Sequence, residues 1–266
     1  MGVASPMIGI LDSGVGGLSV LREIRALQPN ASLHYLGDSA HCPYGTKSPA
    51  EICERVTQIA DYLLGKGSSL LVIACNSATI HAVGPLRAIY PIPIVGMEPG
   101  VKPAAEKTKS GVVGVLATEA SIAGEKFHQL VDTHADGVRV ITRPCPRFVE
   151  LVEAGNLEGD GVNEAIDEAV APMLESGADV LVLGCTHYPF LKKAIRNRVP
   201  EEVVLIDTGP AVARRVVEVL PPTSDFSEEN AEIHIETTGA VSVLEGLFPK
   251  LLPGLEARLT KSGLAD

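Results

Sequence analysis

Short apolar runs recur along this chain, each closed by Gly, Asp, Asn or a small polar residue, and most lead into a stretch whose apolar positions fall three and four apart. MIGILD predicts a buried strand, the SGVGG after it a turn, and LSVLREIRAL a helix with Leu18, Leu21, Ile24 and Leu27 along one side. The same grammar repeats. SLHYLGD predicts a strand followed by a Pro/Gly loop and a helix from about Pro49, and SSLLVIAC a strand followed by a helix from about Ser77. IPIVGM, GVVGVLAT with a helix after it, VRVITRP, ADVLVLGC with a helix from about Pro189, and VVLIDT with AVARRVVEVL continue it. Strands alternating with helical patterns predict an α/β fold of doubly wound parallel sheets with helices on both faces. In such sheets ligands bind beyond the carboxyl ends of the strands.

The pattern also repeats on a longer scale. Asp12 after GIL matches Thr118 after GVLA, and Cys75 after LLVIA matches Cys185 after VLVLG, at spacings of 106 and 110 residues. Two similar domains facing one another would bring both cysteines to a shared cleft. The crossover is expected near Glu98-Pro99-Gly100, and the chain is expected to return to the first domain after Asp207, which otherwise lacks its last helix. This gives residues 1–98 with 208–266 as one domain, carrying Asp12 and Cys75, and 99–207 as the other, carrying Cys185 and His187. PPTSDFSEENAE, from Pro221, is expected to be an exposed loop before a final strand and helix.

Composition narrows the function. A chain of 266 residues that is 45% hydrophobic can bury a sizeable core. Its 22 basic and 33 acidic residues give −11, and no block of Lys and Arg is interleaved with aromatics, which argues against a nucleic-acid partner. Aromatics are 4% and Trp is absent, so stacking platforms would have few residues to draw on. A small polar substrate fits better. Five widely spaced cysteines (Cys42, Cys53, Cys75, Cys145, Cys185) with no leader ahead of the first strand suggest reduced thiols in a cytoplasmic protein. The apolar runs are too short to span a bilayer, so no membrane association is expected.

The chemistry sits at the two matched strand ends. A thiol on each face of one carbon could remove a proton from one side and return one to the other, inverting a stereocentre. Removing an amino-acid α-proton demands a reactive, desolvated base, and a thiolate of lowered pKa suits it. Cys75 stands where a strand hands over to a helix, with Ser77 available as N-cap, so the helix terminus would favour the thiolate. Cys185 is placed likewise. Asp12, opening the turn Ser13-Gly14-Val15-Gly16-Gly17, and His187, two residues past Cys185, could orient a thiol, take its proton or hold a substrate ammonium.

Blander readings exist for each residue. A lone cysteine at a strand end is usually a small buried hydrophobe, Asp12 could be a turn former, and His187 a surface histidine. The main rival is a dinucleotide- or nucleotide-binding protein with structural cysteines, since Gly14-x-Gly16 follows the first strand and Asp38 ends the second as a ribose-contacting acid would. That pattern departs at Ser19, where a third glycine is needed, and Asp12 puts a carboxylate where pyrophosphate needs a donor. A zinc site from Cys185-x-His187 with Cys75 or His81 is conceivable. No C-x₂₋₄-C pair occurs, and no metal and no cofactor is expected.

ILDSGVGGLSVLREI, YLGDSAHCPYGTKS, LVIACNSAT, PIVGMEPGVKPA and LVLGCTHYPFL, in that order, resemble the cofactor-independent glutamate racemases over Ile8 to about Asp207. The resemblance implies two α/β domains related by a pseudo-twofold axis with the active site between them, interconverting L- and D-glutamate, the latter for bacterial peptidoglycan. It makes Cys75 the base acting on the D-enantiomer and Cys185 the base for the L-enantiomer. Asp12 is paired with the first thiol and His187 with the second, and Glu153 becomes a further helper near the second. It places substrate contacts at Asp12, Ser13, Pro43, Tyr44, Gly45, Asn76, Ser77, Thr118, Thr186 and His187. Ser77 and Ser121 stand where the family commonly has Thr, keeping the hydroxyl, and Cys42 adds a third thiol read as a loop residue. Aspartate racemases share the two-thiol logic, so the choice of glutamate rests on resemblance. Among partners a homodimer copy is expected besides the substrate.

Overall fold

The apolar runs become the strands of two parallel sheets in a computed structural model that describes residues 7–220 and 231–264. The chain divides into two compact units, Met1–Met97 with Gly209–Asp266, and Glu98–Thr208.

In the first unit, β1 (Met7–Asp12), β2 (Ser32–Gly37), β3 (Ser68–Ile73), β4 (Ile94–Val95), β9 (Ile233–Thr237) and β10 (Arg258–Lys261) lie in the order β10-β9-β2-β1-β3-β4. The connecting helices are α1 (Leu18–Leu27), α2 (Pro49–Gly65), α3 (Asn76–Ile89), α10 (Gly209–Val219) and α11 (Val241–Leu251). A parallel strand covered on both faces needs no polar side, and β1 is accordingly buried from Ile8 to Asp12. Alternation splits its side chains between two layers. Leu11, Leu36, Leu71 and Ile73 pack with Ile52, Val56 and Ile59 of α2 and Ala78 and Ala82 of α3. Elsewhere α1 and α10 pack together, with Leu18, Leu21 and Ile24 buried on one and Val212, Ala213 and Val216 on the other. α2 starts sharply because Ser48 and Glu51 close a capping box ahead of Pro49.

In the second unit, β5 (Val112–Ala117), β6 (Arg139–Pro144), β7 (Val180–Gly184) and β8 (Val204–Asp207) are ordered β6-β5-β7-β8. Its helices are α4 (Val101–Lys107), α5 (Glu119–Ala123), α6 (Glu125–His134), α7 (Pro146–Glu153), α8 (Asp160–Glu175) and α9 (Lys192–Arg196). Val113, Val115, Val180 and Val182 pack with Val101 and Ala104 of α4 and Phe127 of α6. Gly114 leaves room for Met173 of α8, since a Cβ there would lie 2.7 Å from its sulfur. The order β6-β5-β7-β8 reproduces β2-β1-β3-β4, so the strand that ends before Cys185 is the counterpart of the one that ends before Cys75.

Two expectations are corrected. The segment after Cys185 is not an α-helix from Pro189 but a 3-10 turn, Tyr188–Leu191, followed by the five-residue α9. The chain does not finish on one strand and a helix, because β10 follows α11 and pairs with β9. The α3 helix begins at Asn76, within one residue of the position expected from the sequence. Most of the acidic loop from Pro221 falls at 221–230, outside the described residues. Among the described residues no helix is long and apolar enough to cross a membrane.

Candidate active site

The residues singled out from the sequence fall into two clusters, one on each unit. In the first, Asp12 is the last residue of β1 and fully buried. Its Oδ2 accepts a 2.6 Å hydrogen bond from the Gly17 amide, which closes the SGVGG turn over the strand end. Gly17 must be glycine on packing grounds, since a Cβ would come within 2.8 Å of the Asp12 Cβ. Ser13 follows directly, and the Cys75 thiol points to its Oγ at 3.8 Å.

Cys75 itself is the N-cap of α3, its Sγ accepting from the Ala78 amide at 3.5 Å. This corrects the reading of Ser77 as the cap: Ser77 is the second residue of the helix, buried, and the sulfur takes the place a capping oxygen usually fills. The thiol is therefore aligned with the positive end of a fourteen-residue helix and touches one of its unsatisfied N–H groups, both of which favour a thiolate. Next to it Asn76 is 2% exposed, and neither its amide nitrogen nor its oxygen has a hydrogen-bond partner. A buried amide left unsatisfied is costly unless something else fills its bonds.

Pro43, Tyr44 and Gly45 lie in the loop after β2, where the Cys42–Pro43 peptide is cis and Tyr44–Thr46 forms a 3-10 turn. Tyr44 is buried, and its hydroxyl donates to Asp38 Oδ2 at 2.6 Å. Asp38 also takes Arg55 Nε at 2.9 Å and Nη2 at 3.0 Å, and the Thr238 hydroxyl at 2.8 Å. Burial alone would raise this carboxyl's pKa, but these donors outweigh it and hold the group below the ordinary carboxylate range. Burial and the Asp38 charge in turn push the Tyr44 phenol well up. Asp38 is thus a structural anchor that ties the 43–46 loop to α2 and the segment after β9, and its oxygens are spent. The ribose role considered for it is overturned on this ground. Sequence reasoning missed Arg55, although an arginine inside the apolar stripe Ile52, Val56, Ile59 was a signal that a buried acid awaited it.

In the second cluster Cys185 directly follows β7, and its Sγ lies 3.6 Å from His187 Nδ1. His187 Nε2 is 2.7 Å from Glu153 Oε1 at the end of α7. The three form a thiol, imidazole and carboxylate in line. His187 is 2% exposed, so it is not the surface histidine that the bland reading allowed. Burial would lower its pKa, but the contacts with Cys185 and Glu153 prevail and keep the ring protonated well above the ordinary histidine range. The ring therefore sets a charged group against the Cys185 sulfur. Both ring nitrogens are in use, Nδ1 towards Cys185 and Nε2 towards Glu153.

Thr186 is buried between these two groups in the chain. Thr118 caps α5, with Oγ1 accepting from the Ser121 amide at 3.2 Å and donating to the Ser121 hydroxyl at 2.8 Å. Tyr188, unforeseen from the sequence, supports the turn: its hydroxyl donates to the carbonyls of Ala117 and Cys145, both at 3.0 Å. Cys145 is buried, its thiol pushed up to about 12 by desolvation, and inert as a nucleophile at neutral pH.

Comparison with known proteins agrees across sequence and structure. The profile of the Asp/Glu/Hydantoin racemase family matches residues 8–216. The chain is 50% identical over 247 residues to the glutamate racemase of Ectopseudomonas mendocina, covering 92% of this chain and 94% of that one. It is 52% identical over 221 residues to that of Pseudomonas aeruginosa, covering 83% of each. The crystal structure of Escherichia coli glutamate racemase, in complex with L-glutamate and an activator, superposes with a TM-score of 0.89 at 33% identity, covering 98% of this chain and 100% of that one.

Proposed function

The chain belongs to the Asp/Glu/hydantoin racemase family, and from that premise we propose that it interconverts L- and D-glutamate with two cysteines and no cofactor, supplying D-glutamate for peptidoglycan. One observation carries the reading: equivalent strands of two like-ordered sheets each end on a buried cysteine whose sulfur meets a nitrogen, the Ala78 amide at Cys75 and the His187 ring at Cys185. Glutamate rather than aspartate is supported by relatives at about half identity that carry the glutamate name.

With L-glutamate, the Cys185 thiolate removes the α-proton while the Cys75 thiol delivers its own proton to the opposite face. With D-glutamate the roles exchange. Each turnover moves one proton from carbon to sulfur and one from sulfur to carbon, so the pair ends with its protonation inverted. The two thiolates are supported differently. Cys75 has a helix terminus and the Ala78 amide, whereas Cys185 has a charged imidazole backed by Glu153. Asp12, directly ahead of the Ser13 whose hydroxyl meets the Cys75 thiol, is the acid/base helper on that side. The unsatisfied amide of Asn76, with backbone amides and hydroxyls at Ser13, Ser77, Thr118 and Thr186, supplies polar contacts for the substrate's carboxylates and ammonium. Five free cysteines suit a reducing compartment, in keeping with a cytoplasmic enzyme.

The test is circular dichroism of D- and L-glutamate added separately, with aspartate as the control, in D₂O. Optical activity should vanish from either side, with deuterium entering the α-carbon. Cys75→Ala and Cys185→Ala should each lower the rate by at least about 10³-fold. A variant at full rate removes that thiol from the mechanism, and a requirement for pyridoxal phosphate rejects the mechanism altogether.

A further inference from the structure

In the parallel pair of β2 and β9, His34 stands directly opposite His234, and Glu236 lies two residues beyond His234. Side chains alternate along a strand, so this register sends all three to one face of the sheet. The imidazoles stack with centroids 4.8 Å apart and planes inclined by 21°. The Glu236 carboxylate lies beside both, Oε2 at 3.6 Å from His34 Nε2 and Oε1 at 3.6 Å from His234 Nε2. Those separations are ion-pair distances, longer than a normal hydrogen bond, and the Tyr62 side chain also supports the Glu236 carboxylate. His34 and Glu236 are only 3% and 5% exposed at the side chain, and His34 Nε2 and Glu236 Oε2 are buried without a hydrogen-bond partner. Such donors and acceptors are normally matched.

The spacing suits a shared ion better than a shared proton. Around a tetrahedral zinc with bonds near 2.1 Å, neighbouring donor atoms lie roughly 3.4 Å apart. The three side chains offer donor atoms that all fall within 4.8 Å of one another. We propose that His34, His234 and Glu236 form a divalent-metal site of the two-histidine, one-carboxylate type, suited to zinc or a neighbouring first-row ion.

The site opens onto a cavity of about 740 Å³ in the first unit, which leaves room for water or a small ligand on the remaining coordination positions. The nearby lysines do not occupy the place of the ion. Lys66 holds its ammonium over the Tyr62 ring at 5.1 Å, and Lys261 donates to the carbonyls of Thr238 and Gly239. Thr260 Oγ1 lies 2.7 Å from His234 Nε2 and steadies that ring; a bound ion would take over the nitrogen's lone pair and release the hydroxyl. The triad is carried by β2 and β9, whereas Asp12 ends β1 and Cys75 follows β3, so the site stands apart from the racemisation chemistry in sequence and strand.

The experiment uses the whole reduced chain, freed of metal with a chelator, dialysed against zinc for metal analysis and titrated separately with cobalt(II). One equivalent of zinc is expected, together with saturable visible cobalt bands and no thiolate-to-cobalt charge-transfer band in the near ultraviolet. His234→Ala, at a half-buried position, and the isosteric Glu236→Gln should each weaken binding at least about tenfold. Circular dichroism melting without metal checks that both variants fold, and His234→Ala decides the matter if Glu236→Gln does not. Undiminished affinity in a folded variant, a thiolate band, or the lack of saturable uptake overturns the site.

Discussion

At the scale of the residue, the two candidate bases differ in what meets each sulfur, a helix amide at Cys75 and the His187 ring at Cys185, and this asymmetry is open to measurement. His187 owes its raised pKa to Cys185 and Glu153 against the opposing pull of burial. A histidine whose folded pKa lies above its unfolded value adds stability that is complete below about 6.5 and lost as pH rises through the folded value. Glu153→Gln removes the charged acceptor, so the His187 pKa falls and the alkaline limb of the L-glutamate rate profile moves to lower pH. The profile of kcat against pH, with the imidazole followed by NMR, checks this; an unmoved alkaline limb would separate Glu153 from the thiol. Much of this scale was legible in the chain, because a cysteine or aspartate closing an apolar run is visible by inspection. The anchoring of Asp38 was not. Its partners Arg55 and Thr238 are 17 and 200 positions away, brought in by the fold and by no local pattern.

The elements were read most reliably where an apolar run and a helical period followed one another. MIGILD and LSVLREIRAL became β1 and α1 with the expected bounds, because burial on both faces selects continuous apolar strands. Helices α7 and α8 went unforeseen, and the 3-10 turn after Cys185 was read as an α-helix because Pro189 ahead of an apolar stretch suits the first turn of either. Close packing at strand ends is a further property that only the structure exposes. A Cβ on Gly184 would sit 2.8 Å from the Leu116 carbonyl oxygen and 3.1 Å from the Ala117 Cβ, and that neighbour is backbone of the paired strand, which cannot turn aside. Gly184→Ala is expected to destabilise by about 1–3 kcal/mol, from overpacking, and to displace Cys185 enough to lower kcat. Gly246→Ala is the matched control: nothing lies within 4 Å of its Cβ position in α11, so a gain of about 0.5–1 kcal/mol is expected. Thermal denaturation of both variants decides the pair, and an unchanged midpoint for Gly184→Ala would refute the packing argument.

At the scale of the whole molecule, the internal repeat seen in the sequence has its counterpart in the shared strand order of the two sheets. The second unit is one uninterrupted stretch, Glu98–Thr208, with its own sheet and its own apolar core. A fragment of residues 98–208 is therefore expected to melt cooperatively by circular dichroism; a featureless melt would show that it depends on the remainder of the chain. The first unit is assembled from two stretches, and this bears on its synthesis. When residues up to Met97 have left the ribosome, β2 still has one unpaired edge, because β9 and β10, which extend the sheet beyond it, are encoded near the other terminus. The face of α1 that α10 covers is bare for the same interval. The nascent protein must shield that open edge while more than a hundred further residues are translated, which makes the early half of this chain the part most in need of a chaperone.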